Sequence, residues 1–233
     1  MSDEGPAPAT GLRQLMLLLQ HGDSAFPSGA FGFSWGLEGM LADATIGPDE
    51  LEPAIGALLA DRWAPFDRVA VRRAWHAAGD IAALAALDAE VEASLLAPAE
   101  RSGSARAGAA LLASHLRLGS AGAAELRAAL RAGALKGHRP VIEGALWRGL
   151  GLAEGEAVLL SGYGFVAALC AAAVRLGRLG ALGQQAILTR LGPRLAALAA
   201  EAAPDDPLLT SFNPLAEIAM LRQGARDHAL FAT

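Results

Sequence analysis

The chain has 233 residues, 53% hydrophobic and only 18% charged, with a formal net charge of −5 and an isoelectric point near 5.5. That length can bury a sizeable core. The acidic balance gives no basic footprint, which argues against nucleic acid as the main partner. Alanine and leucine dominate the apolar fraction while Ile, Val, Thr and Tyr are sparse, so the composition predicts an all-α protein. The single cysteine, Cys170, sits in an apolar run and can form no intrachain disulfide, which is compatible with a reducing cytoplasm.

Residues 1–11, MSDEGPAPATG, have neither the charged start nor the apolar core of a signal peptide and are expected to be a disordered tail. An apolar segment around Leu17 breaks at His21-Gly22-Asp23-Ser24. Pro27 then fixes φ and Gly29 permits a positive φ, so residues 21–38 read as a shaped loop entering a helix with Trp35, Leu37 and Leu41. Phe26, Phe31, Phe33 and Trp35 crowd this stretch, which packs it onto its own core or onto a partner. Gly47-Pro48-Asp49-Glu50 starts a helix with Leu51, Ile55, Leu58 and Leu59 at helical spacing. Ala64-Pro65-Phe66-Asp67 is expected to restart a helix through Val69, Val71 and Trp75. Asp80 caps the next, whose stripe is Leu84, Leu87, Val91 and Leu95, with Asp88, Glu90 and Glu92 away from it.

Pro98 ends that element, and residues 100–118 form a helix whose small residues, Ser102, Gly103, Ser104 and Gly108, let another backbone approach. Residues 120–123 start a helix with Leu126 and Leu130 inward, and Pro140 opens one carrying Ile142, Leu146 and Trp147. Residues 157–174 carry no charge and approach the length of a membrane span. Ser161, Gly162, Tyr163 and Gly164, with Glu156 and Arg175 at the flanks, favour instead a central helix surrounded by others. Residues 184–203 put Ile187, Leu191, Leu195 and Leu198 on one face and are expected to kink or split at Gly192-Pro193. Asn213 caps a last helix with Pro214 at its first position. The whole reads as a single compact multi-helix bundle of about ten helices, one domain over residues 12–233.

Motifs for catalysis are scarce. His21, Asp23 and Ser24 are the residue types of a hydrolase triad but stand too close in sequence for its geometry, and they read better as turn caps. The five histidines are scattered, with no HExxH and no cysteine partner, so no metal site is expected within one chain. Neither a P-loop nor a GxGxxG after a strand is present, and no nucleotide cofactor is expected.

Ser24-Ala25-Phe26-Pro27-Ser28-Gly29-Ala30-Phe31, followed by Ser34-Trp35-Gly36-Leu37-Glu38, resembles the N-terminal signature of the UreF family of urease accessory proteins. Other segments are similar to the same family: Gly79-Asp80 through Leu87-Asp88, Glu100-Arg101 with Gly108, and Val174-Arg175-Leu176 with Leu182-Gly183-Gln184-Gln185. Pro214 to Ala219 and the closing Leu230-Phe231 complete a resemblance that spans nearly the whole chain after about residue 12. The resemblance implies an all-α cytoplasmic protein, often a homodimer, with no catalysis, cofactor or membrane association of its own. It implies a scaffold linking a UreD/UreH-type protein and the GTPase UreG on apo-urease, with nickel incorporated as GTP is turned over.

On that resemblance Arg175, Gly183 and Gln184 are candidates for the GTPase-facing surface, a basic residue beside a Gly-Gln turn. Pro27, Gly29, Phe31, Ser34, Gly36 and Glu38 would form an N-terminal partner surface. Pro214, Ile218, Leu230 and Phe231 belong to a tail that would order against the UreD/UreH-type partner. From the residues alone Arg175 can equally complement the dipole at a helix end. The tail departs from the family's usual R-H-E-T-x-x-S-R-L-F-R-S: Gln223-Gly224 replace His-Glu, and Ala229 and Ala232 replace arginines. The alternative function is an all-α enzyme with a buried cavity near residues 21–38, using His21, Asp23 or Glu38.

Overall fold

The computed structural model describes residues 10–29, 33–202 and 208–223, and among them there is no strand. The helices in chain order are α1 (Thr10–Gly22), α2 (Leu37–Ala42), α3 (Leu51–Leu58), α4 (Arg68–His76), α5 (Ile81–Ser94) and α6 (Pro98–Arg117). They continue with α7 (Ala123–Arg131), α8 (Arg139–Gly149), α9 (Glu154–Arg175), α10 (Ala181–Ala200) and α11 (Pro214–Gln223). The fold is an all-α bundle.

Two helices make the frame. α8 packs against α4 and α6, and α9 packs against α1, α4, α8 and α10. The α4–α8 approach depends on Gly144: a Cβ there would stand 2.2 Å from the carbonyl oxygen of Val71, a distance no side chain tolerates. Gly108 on α6 plays the same part, facing the Gly137 carbonyl, as the small residues of that helix predict. Around this frame lie two apolar clusters. One is rich in aromatics, with Trp35, Trp63 and Phe165; the other is mostly aliphatic, with Leu84, Leu112, Ile142 and Leu146. α9 feeds both, Phe165 and Leu169 into the first and Ala157 and Leu160 into the second. It is long and apolar enough to cross a membrane, but 61% of its most apolar window is already buried by neighbouring helices.

Three sequence expectations are corrected. Pro65 does not restart a helix: α3 widens into a π-helix over Leu59–Asp67 and runs on into α4. Proline removes a donor, and a π-helical stretch can absorb it. The carbonyls left over find other donors, with Arg68 Nε on Ala64 at 2.9 Å, Thr210 N–H on Pro65 at 3.2 Å and Phe212 N–H on Asp61 at 3.2 Å. Likewise α10 is not split at Pro193: one helix runs from Ala181 to Ala200, its buried Ile187 and Leu195 seating both halves against the bundle.

Asp88 is the third. The sequence places it off the apolar stripe of α5, yet it is only 1% exposed. Its carboxylate accepts from the backbone N–H groups of Lys136, Gly137 and His138, the last two at 2.9 Å. Successive amides of a turn form a concave anion receptor, and here the anion is internal. The clamp fixes the loop from which α8 begins at Arg139.

Candidate functional site

The loop after α1 forms one wall of a cleft of about 510 Å³, and α9 with the start of α10 forms the other. At the end of α1, His21 Nδ1 donates to the Leu17 carbonyl at 2.8 Å, and Asp23 Oδ1 accepts from the Ala25 N–H at 2.9 Å. Both are turn caps, as their spacing suggests. Ser114 Oγ on α6 donates to the Pro27 carbonyl at 2.8 Å. Gly29 has φ 74, and a Cβ on it would meet the Ala107 carbonyl at 2.8 Å, so glycine is required twice over. The far wall includes Tyr163, Gly164, Ala171 and Gln184. The Pro27–Gly29 loop and Gln184, distant in sequence, therefore share one cleft. Arg175 stands one turn beyond Ala171 on the same side of α9. It is half-buried, and burial pushes its pKa down. Gly183 packs beside the Leu179 side chain.

Aromatic rings pack behind this wall. His21 stacks on His115 with centroids 5.0 Å apart, and Trp147 meets both edge-on. His115 is fully buried with Nδ1 2.9 Å from Ser120 Oγ, and burial pushes its pKa down to about 4. Burial also lowers the pKa of His21. Both rings are thus neutral packing units at physiological pH. Among the described residues no group of three His, Cys, Asp or Glu side chains is arranged to hold a metal ion. Cys170 is buried, and desolvation pushes its thiol up to about 12.

Arg139 and Glu143 line the cleft on one side and a small chamber of about 20 Å³ on the other. Within the chamber Arg62 donates from Nε and Nη2 to Glu100 Oε1, at 3.2 and 3.0 Å, and from Nη1 to Asp67 Oδ2 at 2.9 Å. Arg139 Nε donates to Glu143 Oε1 at 2.7 Å, and Ser161 Oγ donates to Glu143 Oε2 at 2.8 Å. Burial pushes the Asp67 carboxyl up to about 6, against the pull of Arg62 and with a push from Glu100 and Glu143. The sequence reading missed this network. Its members are ordinary charged residues until the π-helical stretch turns Arg62 and Asp67 inward together.

The C-terminal helix closes the other end. Gly36, at φ 80, and Gly39 lie so near α11 that a Cβ on them would stand 2.6 Å from the Ala216 carbonyl and 2.8 Å from the Ala219 carbonyl. Ser34, Gly36 and Glu38, placed by resemblance on a partner-facing surface, are buried here. They support α11 rather than face outward, because the Gly–Ala contact draws the two backbones together. Pro214 and Ile218 are exposed on α11, and Leu215 and Leu221 continue its outward apolar face. Phe31, Leu230 and Phe231 lie outside the described residues, as do Gly224, Ala229 and Ala232.

A second apolar face was also missed. On α1, Leu12, Leu15, Met16 and Leu19 are all at least half exposed. Their i, i+3, i+4, i+7 spacing was visible, but Leu17 and Leu18 offer α1 a competing inward face, and spacing alone cannot choose between them.

The UreF family model matches residues 47–192. Over 229 residues the chain is 31% identical to the urease accessory protein UreF of Trichodesmium erythraeum (strain IMS101), covering 95% of this chain and 97% of that protein. The chain belongs to the UreF family. The 47–192 match stops short of the first loop and α11, so it is the near-full-length relationship that extends UreF kinship to them. Within the matched stretch, the UreF-like segment from Gly79 to Asp88 has a physical explanation. Asp80 caps α5 by accepting from the Ala83 N–H at 3.0 Å, and Asp88 clamps the loop before α8.

Proposed function

We propose that this protein is a non-catalytic accessory protein of urease maturation. In this reading it is a cytoplasmic scaffold, dimeric with itself, that links a UreD/UreH-type protein and the GTPase UreG on apo-urease for GTP-dependent nickel incorporation. The observation that carries the reading is the near-full-length relationship to a protein named as a urease accessory protein. The surface supports it: exposed apolar faces such as those of α1 and α11 mark protein contacts. The GTPase is assigned to the cleft side, where Gln184 joins Pro27 and Gly29 and where Arg175 and Gly183 stand close by. The UreD/UreH-type protein is assigned to α11, with Pro214 and Ile218 at its exposed face.

The enzyme alternative has less support. Its candidate residues do not converge, since His21 and Asp23 are engaged in turn bonds and Glu38 lies in α2 beside α11, outside the cleft lining.

Size-exclusion chromatography with light scattering tests the proposal, on the chain alone and mixed with its UreD/UreH-type and UreG-type partners. A ternary complex is expected, weakened by Arg175→Glu and by truncation before Asn213. Failure to form a complex with either partner, under reducing and low-salt conditions, overturns the scaffold reading.

A further inference from the structure

The chamber behind the cleft carries an unbalanced charge. Asp67, Glu100 and Glu143 share it with Arg62 and Arg139, three carboxylates against two guanidiniums. These face Asp67 from every side that bears charge: Arg62 from its own π-helical stretch, Glu100 from α6, and Arg139 and Glu143 from α8. α9 contributes only Ser161 and Phe165, and the stretch before α2 only Phe33 and Trp35. α11 adds a further carboxylate. Glu217 lines a smaller void with Trp35, Arg62, Glu100 and Asn213, so both voids share the Arg62–Glu100 pair. A buried uncompensated charge is costly, and a proton is the smallest cation that removes it.

α11 covers this pair lightly. It buries Ala216, Ala219 and Met220, rests on the backbones of Gly36 and Gly39, and leaves Leu215, Ile218 and Leu221 exposed. A segment with so little buried apolar area belongs to the low-stability end of a fold.

We propose that seating of α11 is coupled to a proton held by this buried carboxylate cluster: the protonated cluster keeps α11 docked, and loss of the proton releases it. With α11 seated, water is kept from the outer edge of the Arg62–Glu100 pair and Glu217 is drawn toward Glu100. Both raise the cost of the excess negative charge. With α11 released that edge is hydrated and Glu217 moves into solvent, so the ionised cluster costs less. The docked state binds the proton more tightly and therefore gains as pH falls. Burial raises the pKa of both Asp67, to about 6, and Glu217, which Glu100 raises further. The relevant window lies just below neutrality. The coupling concerns this chain alone and holds whatever partner the outward face of α11 meets.

Amide hydrogen exchange of residues 214–223 in the full chain, corrected for intrinsic rates, reads the coupling directly. Protection is expected to be roughly threefold or more higher at pH 5 than at pH 7.5. Asp67→Asn keeps the shape and removes the charge, and should hold protection high at both pH values. Equal protection of the wild type at the two pH values, or an unchanged pH dependence in Asp67→Asn, overturns the proposal. Should Asp67→Asn fail to fold, carbon-13 NMR titration of the Asp67 carboxyl decides. Its midpoint should fall in a Gly39→Leu chain whose α11 cannot seat, and identical midpoints in the two chains also overturn the coupling.

Discussion

α8 and α11 are both held by glycines against a neighbouring backbone, and the outcome differs. At α8, Gly144 brings the helix against Val71 and Ala74 of α4, and every residue from Pro140 to Trp147 is buried. At α11, Gly36 and Gly39 bring Ala216 and Ala219 nearly as close, but of the large apolar side chains Met220 follows them inside while Leu215, Ile218 and Leu221 are left exposed. Burying a leucine or isoleucine contributes about 1.5–3 kcal/mol, while a methyl-sized group contributes about 0.8 kcal/mol. Close backbone approach sets the geometry of a joint, and the apolar area carried with it sets the strength. The same device therefore makes a fixed joint in the frame and a light one at the C-terminal helix.

Among substitutions at these joints, the clamp at the start of α8 should respond most strongly. Asp88→Ala leaves three backbone N–H groups without their acceptor and is expected to cost about 4 kcal/mol in urea unfolding. Gly144→Ala should cost about 3 kcal/mol by the same measurement, because the colliding atoms are backbone and cannot rotate away. A cost below about 1 kcal/mol would mean that α4 and α8 can separate freely, and the contrast with α11 would fail.

A smaller effect sharpens the contrast through pH. His115, buried against Trp147 of α8, titrates near pH 4 when folded and near its ordinary value when unfolded. The unfolded chain binds more protons in that interval, so this group's contribution is full above about pH 6.5 and is lost as pH falls toward 4. His115→Phe should abolish an acid destabilisation of about 2 kcal/mol between pH 7 and pH 4.5, read by thermal unfolding. Asp67 acts in the opposite sense over an overlapping range, since its raised pKa favours folding as pH falls. The histidine term is therefore best read as the difference between variant and wild type.

The smallest global effect is expected at the light joint. Gly39→Ala pushes the Ala219 carbonyl away but gains helix propensity in α2, so global stability should change by less than about 1 kcal/mol. Limited proteolysis should nevertheless cut near α11 faster. A global loss equal to that of Gly144→Ala would show that α11 is part of the frame after all.

Much of the fold was legible in local pattern. The stripe Leu84, Leu87, Val91 and Leu95 is buried as its spacing predicts, Asp80 caps α5, and α11 begins at Pro214. Less of the site was legible. Pro27 and Gly29 stand on one segment and Gln184 on another, and nothing in their spacing said that the two segments share one cleft. Ser34, Gly36 and Glu38 were legible as a motif but not as the buried seat of a helix that begins at residue 214.

The all-α class, the helix starts at Asp80, Pro140 and Pro214, and the kinship with UreF could be read from the chain alone, because propensity, capping and motif order are local properties; Pro65 shows that a proline by itself does not fix a start. The tertiary structure alone decided that Asp88 is an internal anion, that Arg62 and Asp67 turn inward along a π-helical stretch, and that α11 rests on two glycines. Whether a charged side chain can be buried depends on donors and acceptors supplied from distant segments, which offset its loss of water only after the helices have packed.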